Sequence, residues 1–120
     1  MMVQKRKGMV HFFRAFKYSW EGVRSVVRGE ASFRQELILC AIGAIVLALV
    51  DVSVLVRVIL GVSLVFILIA ELINTAIENI VDRIGPEHHE LSKNAKDIGS
   101  AIVCLTITTV VCMWFFILCF

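Results

Sequence analysis

Two long stretches of the sequence carry no charged side chain, and they restrict the chain to a lipid environment. No charge occurs in residues 37–50 or in residues 98–120. The second stretch, as a helix, is about 34 Å long, which is enough to cross the ~30 Å hydrocarbon core of a bilayer. Apolar residues make up 59% of the 120 residues and the mean hydropathy is +0.89, which leaves too little polar surface for a soluble globule. The sequence therefore predicts an integral membrane protein.

Three apolar segments have the length of a membrane-spanning helix. The predicted spans lie at about residues 31–50, 54–80 and 98–120. Residues 51–53 can form only a tight turn between the first two spans, and Pro86 after Gly85 ends the helix of the second. We therefore expect an all-α membrane protein with three transmembrane helices, in a single domain over residues 1–120.

A separate helix is predicted before the first span, over about residues 9–28. Its apolar side chains recur at spacings of three and four, as in Phe12, Phe16 and Trp20, and basic residues lie between them. This periodicity is typical of an amphipathic helix that lies on a membrane surface. A disordered basic tail is the alternative, but aromatic residues at helical spacing are not typical of disorder.

The distribution of basic residues predicts the orientation of the chain. They are frequent before the first span and between the second and third spans, while the 51–53 turn has none. By the positive-inside rule, the N-terminus and the 82–97 loop should face the cytoplasm. The Lys5–Lys7 cluster should contact anionic lipid headgroups, and Arg57 should reach outward as an interfacial anchor.

Charge and cysteine usage argue against other classes of protein. A formal net charge of +2 is too small to indicate a nucleic-acid-binding protein, so no nucleic-acid partner is expected. The four cysteines lie in apolar segments and form no Cys-x-x-Cys pair, so they indicate neither a zinc site nor a disulfide framework. His88 and His89 lack a second pair of ligands and do not indicate zinc either.

The second span ends in a stripe of polar side chains. Polar residues occur at 71, 74, 75, 78 and 82 of an otherwise apolar helix, and at 100° per residue they point within about 60° of one direction. Ionisable groups at this depth are costly and often mark a functional site. Glu71 and Glu78 lie about 10 Å apart along the helix axis, which suits two separate tasks, cation binding and proton abstraction. The structural alternative is a set of carboxyl groups neutralised by protonation or by neighbouring helices.

The oxygen ligands near this stripe favour Mg²⁺, which takes one or two carboxylates together with phosphate oxygens. Glu30, at the edge of the first span, can join Glu78 in such a site. Lys96 and Asp97 can add a cation for phosphate charge and a further acid. The sequence has no P-loop, no Gly-x-Gly-x-x-Gly and no protein-kinase signature, so nucleotide chemistry here requires a different fold.

The segment from Glu71 to Asp82, ELINTAIENIVD, resembles the signature of the prokaryotic diacylglycerol kinase family. Further segments follow in the order and spacing of that family, namely YSW from Tyr18, EASFRQE from Glu30, DRIG from Asp82, HELS from His89 and AKDIGSA from Ala95. The resemblance extends over nearly the whole chain. It implies a homotrimer of three-span subunits in the bacterial inner membrane, with active sites at subunit contacts near the cytoplasmic face.

The resemblance also implies an activity and residue roles. The activity is transfer of a phosphoryl group from ATP to diacylglycerol, with Glu71 as the general base and with Glu30 and Glu78 as ligands of Mg²⁺ on ATP. The residues implied at ATP are His11, Tyr18, Glu30, Asn74, Glu78, Glu87, His88, His89, Lys96 and Asp97. The residues implied at the lipid are His11, Ser19, Trp20, Arg24, Ser32, Phe33, Arg34, Gln35, Glu36, Glu71, Ser100 and Trp114.

Departures from the family pattern occur at His11, Phe16 and Gly29, and they affect the fine shape of the lipid and nucleotide contacts. Within the family, the SWEG and FRQE segments favour diacylglycerol kinase over the related undecaprenol kinase. The alternative from another class is a non-catalytic three-span transporter or channel subunit, in which the polar stripe lines a pore. That alternative requires neither the Lys96–Asp97 segment nor Glu30.

Overall fold

The computed structural model describes residues 8–120, and this part of the chain contains four α-helices. They are α1 (Gly8–Gly29), α2 (Ala31–Leu49), α3 (Val54–Ile84) and α4 (Glu90–Cys119). The all-α prediction is therefore confirmed. The Lys5–Lys7 cluster, predicted to contact lipid headgroups, lies outside the described residues.

α2, α3 and α4 are long and apolar enough to cross a membrane, and they correspond to the three predicted spans. α3 has 31 residues and α4 has 30, so each is about 45 Å long and exceeds the ~30 Å hydrocarbon core. The 82–97 segment, predicted as a loop, is mostly helical, because only residues 85–89 connect the two helices. The helical conformation of this segment could not be predicted from apolar periodicity, because that pattern marks the apolar part of a helix and not its polar end.

Local signals define the helix ends. α3 begins after Ser53, whose side chain accepts a hydrogen bond from the Val56 amide at 3.2 Å. It ends before Gly85 and Pro86, as predicted. Nδ1 of His89 accepts a hydrogen bond from the Leu91 amide at 3.0 Å and caps α4. Such caps satisfy amide groups that have no partner within the helix.

α3 is the central helix, since it packs against α2 and α4 and also touches α1. The buried apolar residues are Phe33, Leu47, Leu60, Ile67, Ala70, Val81 and Val110. The three buried polar residues, Ser63, Glu71 and Thr75, all lie on α3. Many other large apolar side chains of the long helices are exposed, which is typical of surfaces that lipid or another subunit covers. α1 has no buried residue.

A side-chain hydrogen bond joins α3 and α4 in the half of the bundle remote from Glu71. Nε1 of Trp114 donates to Oγ of Ser63 at 2.9 Å, which satisfies an indole N–H that has no water partner in lipid. Gly43 of α2 leaves room for Leu64 of α3, because a Cβ there would lie 3.0 Å from Cδ1 of that side chain. Ser63 precedes Glu71 by about 12 Å of helix. The structure thus gives Trp114 a packing role, and its contact with the lipid substrate stays a prediction.

The guanidinium group of Arg57 binds the end of α2 and the turn that follows it. It donates hydrogen bonds to the carbonyl oxygens of Leu47, of Val50 at 3.3 Å and of Val52 at 3.1 Å. The last carbonyls of a helix lack partners within the helix, and a cation beside them interacts favourably with the helix dipole. Arg57 therefore closes the turn between α2 and α3, and its role as an interfacial anchor stays a prediction.

Candidate active site

Glu71 lies in the interior of the chain, in the middle of α3. Only 5% of its surface is exposed. The hydroxyl group of Ser32, near the start of α2, donates a hydrogen bond to Oε1 of Glu71 at 2.9 Å. This bond fixes one carboxyl oxygen and leaves Oε2 for another partner. The acid predicted as general base is therefore oriented by the neighbouring helix.

Glu36, one turn after Ser32 on α2, lies close to Glu71. Its own Oε2 is buried and has no hydrogen-bond partner among the described residues. Ser32, Glu36 and Glu71 thus form an acidic cluster between α2 and α3. A substrate hydroxyl group that reaches this cluster meets a proton acceptor there.

The polar stripe of α3 continues from this cluster towards α4. Nδ2 of Asn74 donates a hydrogen bond to Oε1 of Glu78 at 2.9 Å. One turn further, Oδ1 of Asp82 forms an ion pair with Nζ of Lys96 on α4 at 2.7 Å. The helix rises about 16 Å between Glu71 and Asp82. The stripe therefore connects the acidic cluster with the polar ends of α3 and α4.

A polar cavity of about 310 Å³ lies at these ends, beside the connection between the two helices. Its volume is at the lower limit of typical small-molecule sites. It includes five of the residues predicted at ATP, which are Glu87, His88, His89, Lys96 and Asp97. The structure thus brings these five residues together, whereas Glu78 and Asn74 lie one and two turns before Asp82 on α3.

Lys96 is a protonated and accessible cation at the edge of this cavity. It lies before the apolar part of α4, and its hydrogen bond to Asp82 together with the negative charges of Asp82 and Glu78 raises its pKa. A second ion pair joins Nζ of Lys93 to Oδ2 of Asp97 at 2.7 Å. Both pairs are largely exposed, so each contributes at most about 1 kcal/mol to stability. A phosphate group can therefore compete for Lys96 at little cost.

Within residues 8–120, no group of three or more His, Cys, Asp or Glu side chains is placed to hold a metal ion. Glu30, at the break between α1 and α2, and Glu78 thus belong to no such group in the described chain. The donor chemistry at Glu78 nevertheless fits Mg²⁺. Asn74 binds only Oε1 of Glu78, and Mg²⁺ commonly takes one or two carboxylates with phosphate oxygens and water.

The α1 residues predicted at the substrates are exposed, and these are His11, Tyr18, Ser19, Trp20 and Arg24. Ser19 lines a cavity of about 430 Å³ between α1 and α3 that also contains Thr75 and Asn79. Arg24 lines a separate cavity of about 450 Å³ on α1, with Arg28. Neither cavity includes Glu71 or Lys96. The substrate roles of these residues stay predictions.

Two α2 residues predicted at the lipid have roles within the chain. Phe33 is 2% exposed and belongs to the core, and its contact with the lipid stays a prediction. Nη1 of Arg34 donates to the carbonyl oxygens of Val27 at 2.8 Å and Arg28 at 3.1 Å, at the end of α1. Gln35 of α2 and Ser100 of α4 are exposed, and their roles stay predictions.

Sequence analysis did not assign three residues that the structure places at the site. Thr75 is 3% exposed, and its hydroxyl oxygen has no hydrogen-bond partner among the described residues. Asp82 is the partner of Lys96. Both were visible as members of the polar stripe. Gly99 lies against Asn74, and a residue without a side chain gave no polar signal.

Comparison with known proteins relates this arrangement to one family. Residues 17–118 match the family described as prokaryotic diacylglycerol kinase. The chain belongs to this family. The match begins within α1 and ends within α4, so it includes the whole polar stripe of α3 and the Lys96–Asp97 segment. The resemblance stated from the sequence segments is confirmed.

Individual diacylglycerol kinases are similar over most of their length. The chain is 41% identical over 113 residues to the diacylglycerol kinase of Escherichia coli strain K12, and the alignment covers 94% of this chain and 93% of that protein. The diacylglycerol kinase of Haemophilus influenzae is 41% identical over 111 residues, which cover 92% and 93% of the two chains. That of Sinorhizobium sp is 42% identical over 106 residues, which cover 88% and 77%. Together with the three apolar helices, these relatives identify a bacterial membrane protein of the diacylglycerol kinase family.

Proposed function

We propose that this protein is a diacylglycerol kinase, which transfers the γ-phosphoryl group of Mg-ATP to the free hydroxyl group of diacylglycerol and releases phosphatidate and ADP. The observation that supports this most directly is Glu71, an acid buried between two apolar helices and oriented by Ser32. The family match and relatives named for this activity support the substrate class.

In this proposal Glu71 accepts the proton of the diacylglycerol hydroxyl group while the hydroxyl oxygen forms its bond to the γ-phosphorus. The bond between the γ-phosphorus and the bridging oxygen of ADP breaks in the same displacement. Ser32 keeps Oε1 of Glu71 in place, so that the other carboxyl oxygen is directed at the substrate. A positioned general base typically accelerates a reaction by about 10²–10⁴-fold. Positioning of the reactants and neutralisation of phosphate charge supply much of the remaining acceleration.

The nucleotide binds at the polar ends of α3 and α4. Lys96 and Asp97 contact the polyphosphate, and Glu87, His88 and His89 lie against the nucleotide in the same cavity. When bound, Mg²⁺ supplies neutralisation of the polyphosphate charge, and Glu30 and Glu78 are its proposed ligands. Asn74 holds the Glu78 carboxylate in place for this task.

The complete enzyme is a homotrimer in the inner membrane, with substrate sites formed between subunits. Two observations support an assembly. The α1 residues His11 and Tyr18 do not line the Lys96 cavity of their own chain, and the long helices leave many large apolar side chains exposed. α1 lies on the membrane surface, because aromatic and basic side chains alternate along it at helical spacing. The N-terminus and the α3–α4 connection face the cytoplasm, where ATP is present.

The test is transfer of labelled phosphate from Mg-ATP by the purified protein in mixed micelles that offer diacylglycerol and undecaprenol in parallel. We expect phosphatidate as the main product. Glu71→Gln should reduce turnover by about 10²-fold or more while Mg-ATP binding is kept, since only the base is lost. Undecaprenyl phosphate as the main product would assign the related undecaprenol kinase activity. If intact protein labels neither lipid, the kinase proposal is wrong and a transporter or channel function is the next to test.

A further inference from the structure

Gly99 of α4 lies directly against the carboxamide group of Asn74 on α3. Gly99 is buried, and a Cβ built on it would lie 2.4 Å from Oδ1 and 3.4 Å from Cγ of Asn74. Cβ atoms essentially never come within 3.0 Å of such a neighbour. Any residue other than glycine at position 99 therefore forces either Asn74 or α4 to move.

The other end of the same carboxamide is bound to Glu78. Nδ2 of Asn74 donates a hydrogen bond to Oε1 of Glu78 at 2.9 Å. Because the amide group is planar and rigid, a displacement of Oδ1 also displaces Nδ2. Asn74 is thus held between the backbone of α4 at Gly99 and the Glu78 carboxylate. A change at position 99 reaches Glu78 through this single group.

Two ordinary explanations for a glycine do not account for Gly99. Its backbone is helical, so the conformational freedom of glycine is not needed. Glycine is also a poorer helix former than alanine, so helix stability does not favour it. Gly61 of α3 provides a contrast, since a Cβ there would meet only Cδ1 of Leu47 at 3.9 Å, an ordinary contact.

We propose that Gly99 is a positioning residue, which lets the α4 backbone hold Asn74 in the orientation that fixes the Glu78 carboxylate for Mg-ATP. This inference rests on the proposed function, which gives Glu78 its role as a metal ligand. Gly99 touches neither substrate in this account and acts only through Asn74. It therefore affects metal-nucleotide binding more than binding of diacylglycerol.

The experiment compares Gly99→Ala in the wild-type chain and in an Asn74→Ala background, with Gly61→Ala as the matched control that adds the same methyl group to a helix. Binding of Mn²⁺ in the presence of ATP is measured by electron paramagnetic resonance, and KM is measured separately for Mg-ATP and diacylglycerol. Gly99→Ala should weaken Mn²⁺ binding by about 10- to 100-fold, the usual cost of disturbing a group that orients a metal ligand. The KM of Gly99→Ala for diacylglycerol should change by less than about twofold. Mn²⁺ binding by Gly61→Ala should also stay within about twofold of wild type. In the Asn74→Ala background, Gly99→Ala should cause no further loss, because the group that the methyl displaces is absent.

Unchanged Mn²⁺ binding in Gly99→Ala would overturn the inference. An equal loss in the Asn74→Ala background would also overturn it, because the methyl group would then act by displacing α4. If Gly99→Ala does not fold, the double variant with Asn74→Ala should fold again, and a double variant that stays unfolded contradicts the proposed contact. Mn²⁺ binding requires no turnover. A wild-type protein that phosphorylates no lipid is therefore distinguished from a failure of this inference.

Discussion

Replacing Ser32 by alanine removes the hydroxyl group that orients Glu71 and adds no bulk to the interface. The lost hydrogen bond has a length of 2.9 Å, and its acceptor, the carboxyl group of Glu71, belongs to a residue that is only 5% exposed. A hydrogen bond to a charged group contributes about 1.5–3 kcal/mol. If this free energy serves to orient the base in the transition state, kcat should fall by about 10- to 100-fold.

The assay for Ser32→Ala is the initial rate of phosphatidate formation at saturating Mg-ATP and diacylglycerol. Ser32→Thr keeps a hydroxyl group and should retain kcat within about threefold. Thr109→Ala is the matched control, since it removes a hydroxyl group that binds only the Leu105 carbonyl of its own helix at 2.8 Å. A kcat for Ser32→Ala within about twofold of wild type would refute the reasoning, because the bond would then contribute nothing to orientation of the base.

Three further predictions concern the metal ligand and the two interhelical bonds. Glu78→Gln should raise the Mg²⁺ concentration for half-maximal activity by about tenfold or more, because a ligand charge is lost. The measurement is the rate as a function of Mg²⁺ concentration. An unchanged midpoint would remove Glu78 from the metal site. Trp114→Phe removes the donor to Ser63 and should lower the free energy of unfolding by about 0.5–1.5 kcal/mol, as measured by denaturation in mixed micelles. Arg57→Met leaves the carbonyls at the end of α2 without their cation and should lower the free energy of unfolding by about 1–3 kcal/mol in the same assay. Equal stability would show that water replaces the guanidinium group.

The number and type of the helices could be predicted because each signal lies within one segment. Three apolar segments with the length of a membrane-spanning helix mark the spans, and Gly85 with Pro86 marks the end of α3. The start of α4 at Glu90 was not predicted. Its first two turns are polar and exposed, so they lack the apolar periodicity from which a helix is recognised.

The candidate site was predicted to the extent that it lies on a single helix. Glu71, Asn74 and Glu78 share a face of α3 because helical spacing fixes their relative directions. Contacts between helices could not be derived in this way, since they depend on how one helix is rotated against another. The hydrogen bond from Ser32 to Glu71 is such a contact. The burial of Phe33 could not be predicted for the same reason, since a motif match does not say which face of α2 is buried.

α3 has a further consequence as the single rod that carries both ends of the proposed site. The distance between Glu71 and Asp82 is set by 11 steps of helix, about 16 Å, and their relative direction by the rotation of 100° per residue. Inserting one residue between them would turn one end of the stripe away from the other by about 100°, which no side-chain movement can offset. Changes in chain length are therefore expected to be excluded from this part of α3. α3 therefore fixes both the distance between the two substrates and their relative direction.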